Sequence, residues 1–361
     1  MNANPDAIGT PALLVDATRL EGNLARMQAG CDAAGTELWP HVKTHKMIPV
    51  LRRQLELGAG GATCAKIGEA EALLPAGVRR VFLAHSLGDL RNADRLRSLA
   101  SSLDQLILAV TSPAHFPIVE ALLVRAGLRV PVLMAVDTGL GREGVREPEA
   151  AAALAERIRG SDRMELIGIY THEGHAYGSA PGEVAENVSV VHARLQEFRD
   201  AIGGELPMWP GCSVTAALMA AQPGVHAVRP GTYVFGDLFL IEKTGVMSPG
   251  DAALTVLATV VDRPAPDLAL IDAGSKVFSG DKTAEKWSGR CMEFPSLLVT
   301  RVSEEHGFVT GDGVDQLRIG DRLRFVPAHV CPVVNLAERV HVIEDGRWTD
   351  TWTVDARGRS D

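Results

Sequence analysis

Eight short apolar runs recur at near-regular intervals through the first two-thirds of the chain, and this rhythm limits the fold more than any other feature. They lie at about 38–43, 61–66, 80–85, 105–110, 131–137, 165–172, 208–213 and 227–235. Several are almost continuously apolar, as parallel strands covered on both faces are. Segments of helical period run between them. Over 16–35, Thr18 and Glu21 have the spacing of a capping box, and Leu20, Leu24, Met27 and Cys31 share one face. Gly35 is placed to end that helix, and Gly58, Gly77, Gly127, Gly160, Gly203 and Gly224 stand shortly before later strands. Eight such units predict a (β/α)8 barrel of TIM type rather than an open doubly wound sheet.

The chain has 361 residues, and a barrel takes roughly 250, which leaves about 110. Beyond 238 the character changes. Short β-like runs at 254–261, 268–271, 297–302, 307–310, 323–326 and 340–343 are separated by Gly, Pro and Asp, with no clear amphipathic helix. The expected organisation is a barrel over 10–238 and a C-terminal all-β domain over 239–361, with 1–9 packing on the latter. A composition of 46% hydrophobic and 22% charged residues is ample for a core and excludes wholesale disorder. With 36 Lys+Arg against 45 Asp+Glu and no basic stripe, nucleic acid is not an expected partner. No apolar run nears the ~18 residues of a membrane span. The N-terminus carries Asp6 and no signal-peptide core. Five scattered cysteines do not suggest a disulfide framework, so a cytoplasmic protein is expected.

In a barrel, chemistry sits at the C-terminal strand ends and in the loops that follow. The first strand ends on His41, Lys43 and His45, which share one face at period two. An inward lysine is costly unless paired, neutralised or covalently used. It reads either as a Schiff-base nucleophile or as part of a solvated basic cluster. The loop 137–144 is glycine-rich and holds Arg142, suited to an anionic oxygen, though a plain βα loop fits equally. Residues 170–177 gather Tyr170, His172, His175 and Tyr177 at a strand-to-loop junction. Behind strands seven and eight stand Gly211, Cys212, Ser213 and Thr215, then Gly231, Thr232 and Tyr233. Small and hydroxyl residues in these two loops match the usual phosphate position of a barrel. In the β region, His329 and Cys331 on one strand would share a face. They read as an open two-ligand metal site or as a buried Cys beside a satisfied His.

Segments 40–46, 170–177, 230–233, 271–276, 327–331 and 356–358, in this order, resemble the fold-type III pyridoxal phosphate (PLP) enzymes with an alanine racemase-like barrel. Within that group the chain is most similar to the D-threonine aldolase and eukaryotic-type D-serine dehydratase branch. The resemblance runs from Thr10 to Arg359. It implies that Lys43 carries PLP, that Arg142 lies near the cofactor's phenolic oxygen, and that Tyr170, His172 and Tyr177 line the ring and substrate pocket. Thr215, Gly231 and Thr232 would hold the phosphate with Ser213 and Tyr233 close by, and His329 and Cys331 would bind a divalent metal. Such enzymes are usually homodimers. D-threonine aldolases typically have His-x-Asp at the metal and D-serine dehydratases His-x-Cys, so Cys331 departs from the aldolase form. A thiolate favours zinc over manganese or magnesium.

The implied function is a PLP- and metal-dependent lyase for a D-3-hydroxy amino acid, of D-threonine aldolase type. The alternative is a D-serine or D-3-hydroxyaspartate dehydratase. A racemase would have no use for His329 and Cys331, and simple PLP-carrier proteins lack the second domain.

Overall fold

The computed structural model describes residues 4–361. They form two compact units. One comprises the residues up to Ala25, with Thr44–Met47 and Thr232–Gly358; the other comprises Arg26–Lys43, Ile48–Gly231 and Arg359–Asp361. The first nine strands in chain order are β1 (Ala12–Asp16), β2 (Glu37–Leu38), β3 (Ala62–Cys64), β4 (Arg80–Leu83), β5 (Gln105–Val110), β6 (Val130–Ala135), β7 (Met164–Tyr170), β8 (Met208–Trp209) and β9 (Ala227–Val228).

Strands β2 to β9 fall on the eight apolar runs and belong to the second unit. Strands β3 to β8 form a six-stranded parallel sheet in sequence order, half a barrel, and β2 pairs with β9 in parallel. Isolated parallel bridges join His41 to Thr63 and Met208 to Val225. Alternation along the strands turns Ile107 and Ala109, and Leu133 and Ala135, to one face. There they pack with Trp39, Phe82, Tyr170, Trp209 and Ala227.

The helices follow the apolar period. In Pro148–Arg159, Ala151, Leu154, Ala155 and Ile158 are buried at i, i+3, i+4 and i+7. Proline opens this helix, and Arg157 and Arg159 sit in its last turn, where the dipole favours cations. The first helix, Ala17–Ala34, starts two residues earlier than the capping-box reading requires. Thr18 is therefore already inside it. Asp16 caps it instead, accepting the Arg19 N–H at 3.0 Å.

The other unit contains β1 and β10 (Leu254–Ala265), β11 (Leu268–Ile271), β12 (Gly289–Cys291), β13 (Leu298–Val302), β14 (Gly307–Thr310), β15 (Arg322–Pro327), β16 (Arg339–Glu344) and β17 (Arg347–Thr353). The sheet order is β11-β14-β13-β12-β15-β10-β1-β16-β17. Because β11 also pairs with β10, six antiparallel strands form a closed ring of pairings. Only β1 with β16 is parallel.

Three strands go beyond the sequence reading. β1 lies ahead of the first helix, β12 is three residues long, and β17 is a Trp/Thr/charged alternation without an apolar run. The expectation of no helix here is also corrected: Ser275–Phe278 and Val330–Leu336 are helical. Among the described residues, no helix is long and apolar enough to cross a membrane.

Candidate active site

Lys43 does not lie on a strand. The chain leaves β2, makes the His41 bridge, and turns into a 3-10 segment, Val42–Thr44, that carries the lysine. The period-two face of His41, Lys43 and His45 is thus not formed, because the turn rotates successive side chains by about a third of a circle. Lys43 is half-buried, and its amine has no hydrogen-bond or ion-pair partner among the described residues. It is close enough to His172 to depress that imidazole's basicity. An amine partly withdrawn from water and left uncommitted suits a covalent carbonyl cofactor, so the residue present fits PLP.

His172 follows β7 directly. Its Nδ1 lies against the Gly211 carbonyl, so Nδ1–H donates and Nε2 keeps its lone pair. Burial and the nearby Lys43 charge bring its pKa down to about 3, which keeps the ring neutral. Gly174 leaves the Nε2 edge clear, because a Cβ there would stand 2.9 Å from Nε2.

Two charged residues that sequence reasoning did not single out lie behind this histidine. Glu173 is fully buried; its carboxylate accepts the Gly211 N–H at 2.9 Å and the Thr215 hydroxyl at 2.7 Å. Burial pushes its pKa up. Arg229, also buried, donates Nε to the Trp209 carbonyl at 3.1 Å and Nη2 to the Thr171 carbonyl. Its guanidinium stands over the Phe82 and Tyr170 rings. A lone Arg in the apolar run 227–235 was the available signal, since a buried charge demands partners.

Among the other expected residues, Tyr170 is a core residue whose hydroxyl donates to the Ala84 carbonyl at 3.1 Å. Tyr177 is half-buried in the 3-10 segment Gly174–Gly178. Arg142 is exposed and pairs with Glu143 at 3.0 Å. Its loop is tied by Asp137, whose carboxylate accepts the Gly139 and Gly141 N–H groups. Ser213 and Gly231 meet directly: the Gly231 N–H donates to Ser213 Oγ at 3.1 Å. Thr215 spends its hydroxyl on Glu173, so its backbone rather than its side chain is left for a ligand.

In the other unit, Thr232 and Tyr233 are buried, and Thr232 Oγ1 lies 3.8 Å from Cys331 Sγ. His329 and Cys331 were expected on one strand; they stand instead at the start of the helix Val330–Leu336. His329 is its N-cap in an extended conformation, and Cys331 enters the first turn. Asp237, fully buried, accepts the Val330 N–H at 3.2 Å and fixes this start. Cys331 hydrogen-bonds the His329 ring. His329 Nδ1 is taken by Asp281 at 2.7 Å, which leaves Nε2. Burial alone would lower this imidazole's pKa, but Cys331, Asp237 and Asp281 together push it up to about 10. Among the described residues no group of three or more candidate ligands converges. A His–Cys pair whose second ring nitrogen is oriented by a carboxylate is nonetheless the donor set of an open metal site, and it fits a divalent metal.

The family model described as alanine racemase, N-terminal domain, matches residues 15–238, more than half of the chain. The chain belongs to the alanine racemase-like family of PLP enzymes. A second model, putative serine dehydratase domain, matches residues 253–343. The chain is 31% identical to a D-threonine aldolase of Arthrobacter sp, over 98% of this chain and 94% of that protein. It is 33% identical to the D-threo-3-hydroxyaspartate dehydratase of Delftia sp., over 90% of this chain and 91% of that protein. Solved structures of D-threo-3-hydroxyaspartate dehydratase include a cysteine-to-alanine variant in a metal-free form. The structure of D-threonine aldolase from Filomicrobium marinum superposes with a TM-score of 0.90 at 25% identity, covering 100% of this chain and 98% of that one. This alanine racemase-like chain therefore lies within the aldolase and dehydratase branch.

Proposed function

We propose that this chain is a PLP- and divalent-metal-dependent lyase that cleaves a D-3-hydroxy amino acid into glycine and an aldehyde, in the manner of a D-threonine aldolase. The observation that carries the reading is the uncommitted amine of Lys43 beside the neutral, oriented His172. Lys43 would hold PLP covalently. Arg142, Tyr170, His172 and Tyr177 would flank it. Ser213, Thr215, Gly231, Thr232 and Tyr233 would serve its phosphate, Thr215 and Gly231 through the backbone. Residues 10–238 are then the cofactor-binding region and 239–361 the metal-carrying region. The bridges at His41 and Met208 support closure of the parallel strands into a complete (β/α)8 barrel.

When bound, PLP supplies an electron sink for a pair released at the substrate's Cα, and the metal a Lewis acid for its β-hydroxyl. His172 Nε2 carries the lone pair that takes the hydroxyl proton, and the electrons of the O–H bond become the aldehyde's carbonyl as Cα–Cβ breaks. Burial holds His172 weakly basic and the Lys43 charge adds to this; with that amine covalently used the repulsion would be gone, and the imidazole would be a better base than in the cofactor-free chain. His329 and Cys331 would hold the metal, with zinc favoured by the thiolate over manganese or magnesium. A cytoplasmic homodimer completes the proposal.

Cys331 favours a second reading, the dehydratase. Lys43 would then take the proton at Cα, the β-hydroxyl would leave as water, and a 2-oxo acid with ammonia would follow. The deciding assay offers the purified protein D-threonine, D-serine and D-3-hydroxyaspartate with PLP and zinc or manganese. Acetaldehyde and glycine from D-threonine are expected. Pyruvate and ammonia from D-serine would replace the aldolase by the dehydratase, and no turnover with any of the three would remove both.

A further inference from the structure

We propose that Glu173 is a positioning residue, and that its buried carboxylate sets the tautomer of His172 by holding the peptide groups of Gly211. The two residues are adjacent in sequence and grip the same glycine from the end of β7. His172 Nδ1 donates to the Gly211 carbonyl, and Glu173 Oε2 accepts the Gly211 N–H at 2.9 Å. The other carboxylate oxygen takes the Thr215 hydroxyl at 2.7 Å and so anchors the far end of the loop 211–215. Arg229 closes in one side of Gly211, where a Cβ would stand 2.7 Å from Arg229 Cζ and Nη2. Arg229 is itself fixed through the carbonyls of Thr171 and Trp209.

Glu173 has no solvent exposure and both of its oxygens are engaged within the protein, so it is not placed to exchange a proton with a substrate. Its charge faces the buried Arg229, and each compensates the other in a medium where a lone charge would be expensive. Without the carboxylate, the Gly211 N–H is a buried donor with no acceptor, and the turn at Gly211 shifts to give it one, carrying with it the next peptide group, to which the Gly211 carbonyl belongs. The Gly211 carbonyl then leaves His172 Nδ1. The imidazole is released to take the other tautomer and to bind a proton more readily.

The proposal rests on His172 belonging to the PLP site, so the test reads the histidine separately from the cofactor. In the cofactor-free protein with 15N-labelled histidine, the His172 signals are identified by their loss in His172→Asn. The wild type is expected to show a neutral ring protonated at Nδ1, unchanged from pH 8 to pH 5. Glu173→Ala is expected to show Nε2-protonated or averaged signals and a midpoint raised by at least one pH unit. PLP binding by this variant should weaken by at least tenfold. Glu173→Gln, whose amide oxygen can still accept the Gly211 N–H, should restore the tautomer and bind PLP within threefold of wild type. If Glu173→Ala does not fold, Thr215→Val removes one of the same bonds and should move the His172 signals in the same direction by less. A folded Glu173→Ala, or failing that a Thr215→Val, with an unaltered His172 tautomer and midpoint overturns the proposal. If the wild-type protein binds no PLP while the tautomer results hold, the functional reading falls and the positioning role stands.

Discussion

The neutral state of His172 couples one side chain to the stability of its whole unit. Its folded pKa of about 3 lies below the ordinary imidazole value near 6.5. The unfolded chain therefore binds a proton there first, and stability present above pH 6.5 is lost as pH falls toward 3. Between pH 6.5 and pH 5 the wild type should lose about 1.5 kcal/mol more than His172→Asn, as read by denaturant melts of the cofactor-free protein at the two pH values. Equal losses would mean that the imidazole already titrates normally in the folded state. His172 was legible in the sequence because polar rings crowd 170–177. Glu173 was not, since a glutamate beside a loop reads as a surface residue. Only the fold reveals that the turn after β7 runs inward, under Thr215 and Gly211.

At the scale of the element, the residues that carry chemistry sit just outside regular structure, where a period-two reading fails. His329 and Cys331 were expected together on a strand face, and they do meet, but through an N-cap and the first turn of the helix Val330–Leu336. A spacing of two brings side chains near each other in both arrangements, so the sequence carried the pair but not its geometry. The orienting groups, Asp237 and Asp281, come from 92 and 48 residues upstream of His329, distances no local pattern encodes. Asp281 holds Nδ1 and so directs Nε2, the arrangement in which an outer carboxylate fixes a ligand histidine. Asp281→Ala should weaken zinc binding by about 10–100-fold while leaving the fold intact, as measured by competition with a chromophoric chelator. Unchanged affinity would place the metal on a different nitrogen or elsewhere.

For the whole molecule, burial decides which parts of the architecture can be read in advance. Strands β2 to β9 are legible because a parallel sheet covered on both faces writes itself as apolar runs. β1 and β17 are invisible to that criterion: the first is five residues before a helix, and the second is only half-buried on both faces. Yet β1 holds an important place. It pairs with β10 through Ala12↔Leu257 to Val15↔Leu254 and with β16 through Leu14↔His341 to Asp16↔Ile343. The ring from β10 to β15 closes within its own segment, whereas β16 and β17 reach that ring only across β1. A two-stranded hairpin alone is marginal in water. A fragment spanning 239–361 should therefore keep slow amide exchange in 256–260 and 323–326 and lose it in 340–343 and 348–352. A peptide of residues 10–17 should restore that protection, because it supplies the pairing partner of both strands and Leu13, Leu14 and Val15 are buried on the two faces of β1. Protected β16 amides in the fragment without the peptide would mean that β16 can pair directly with β10, and β1 would then not be what joins the hairpin to the ring.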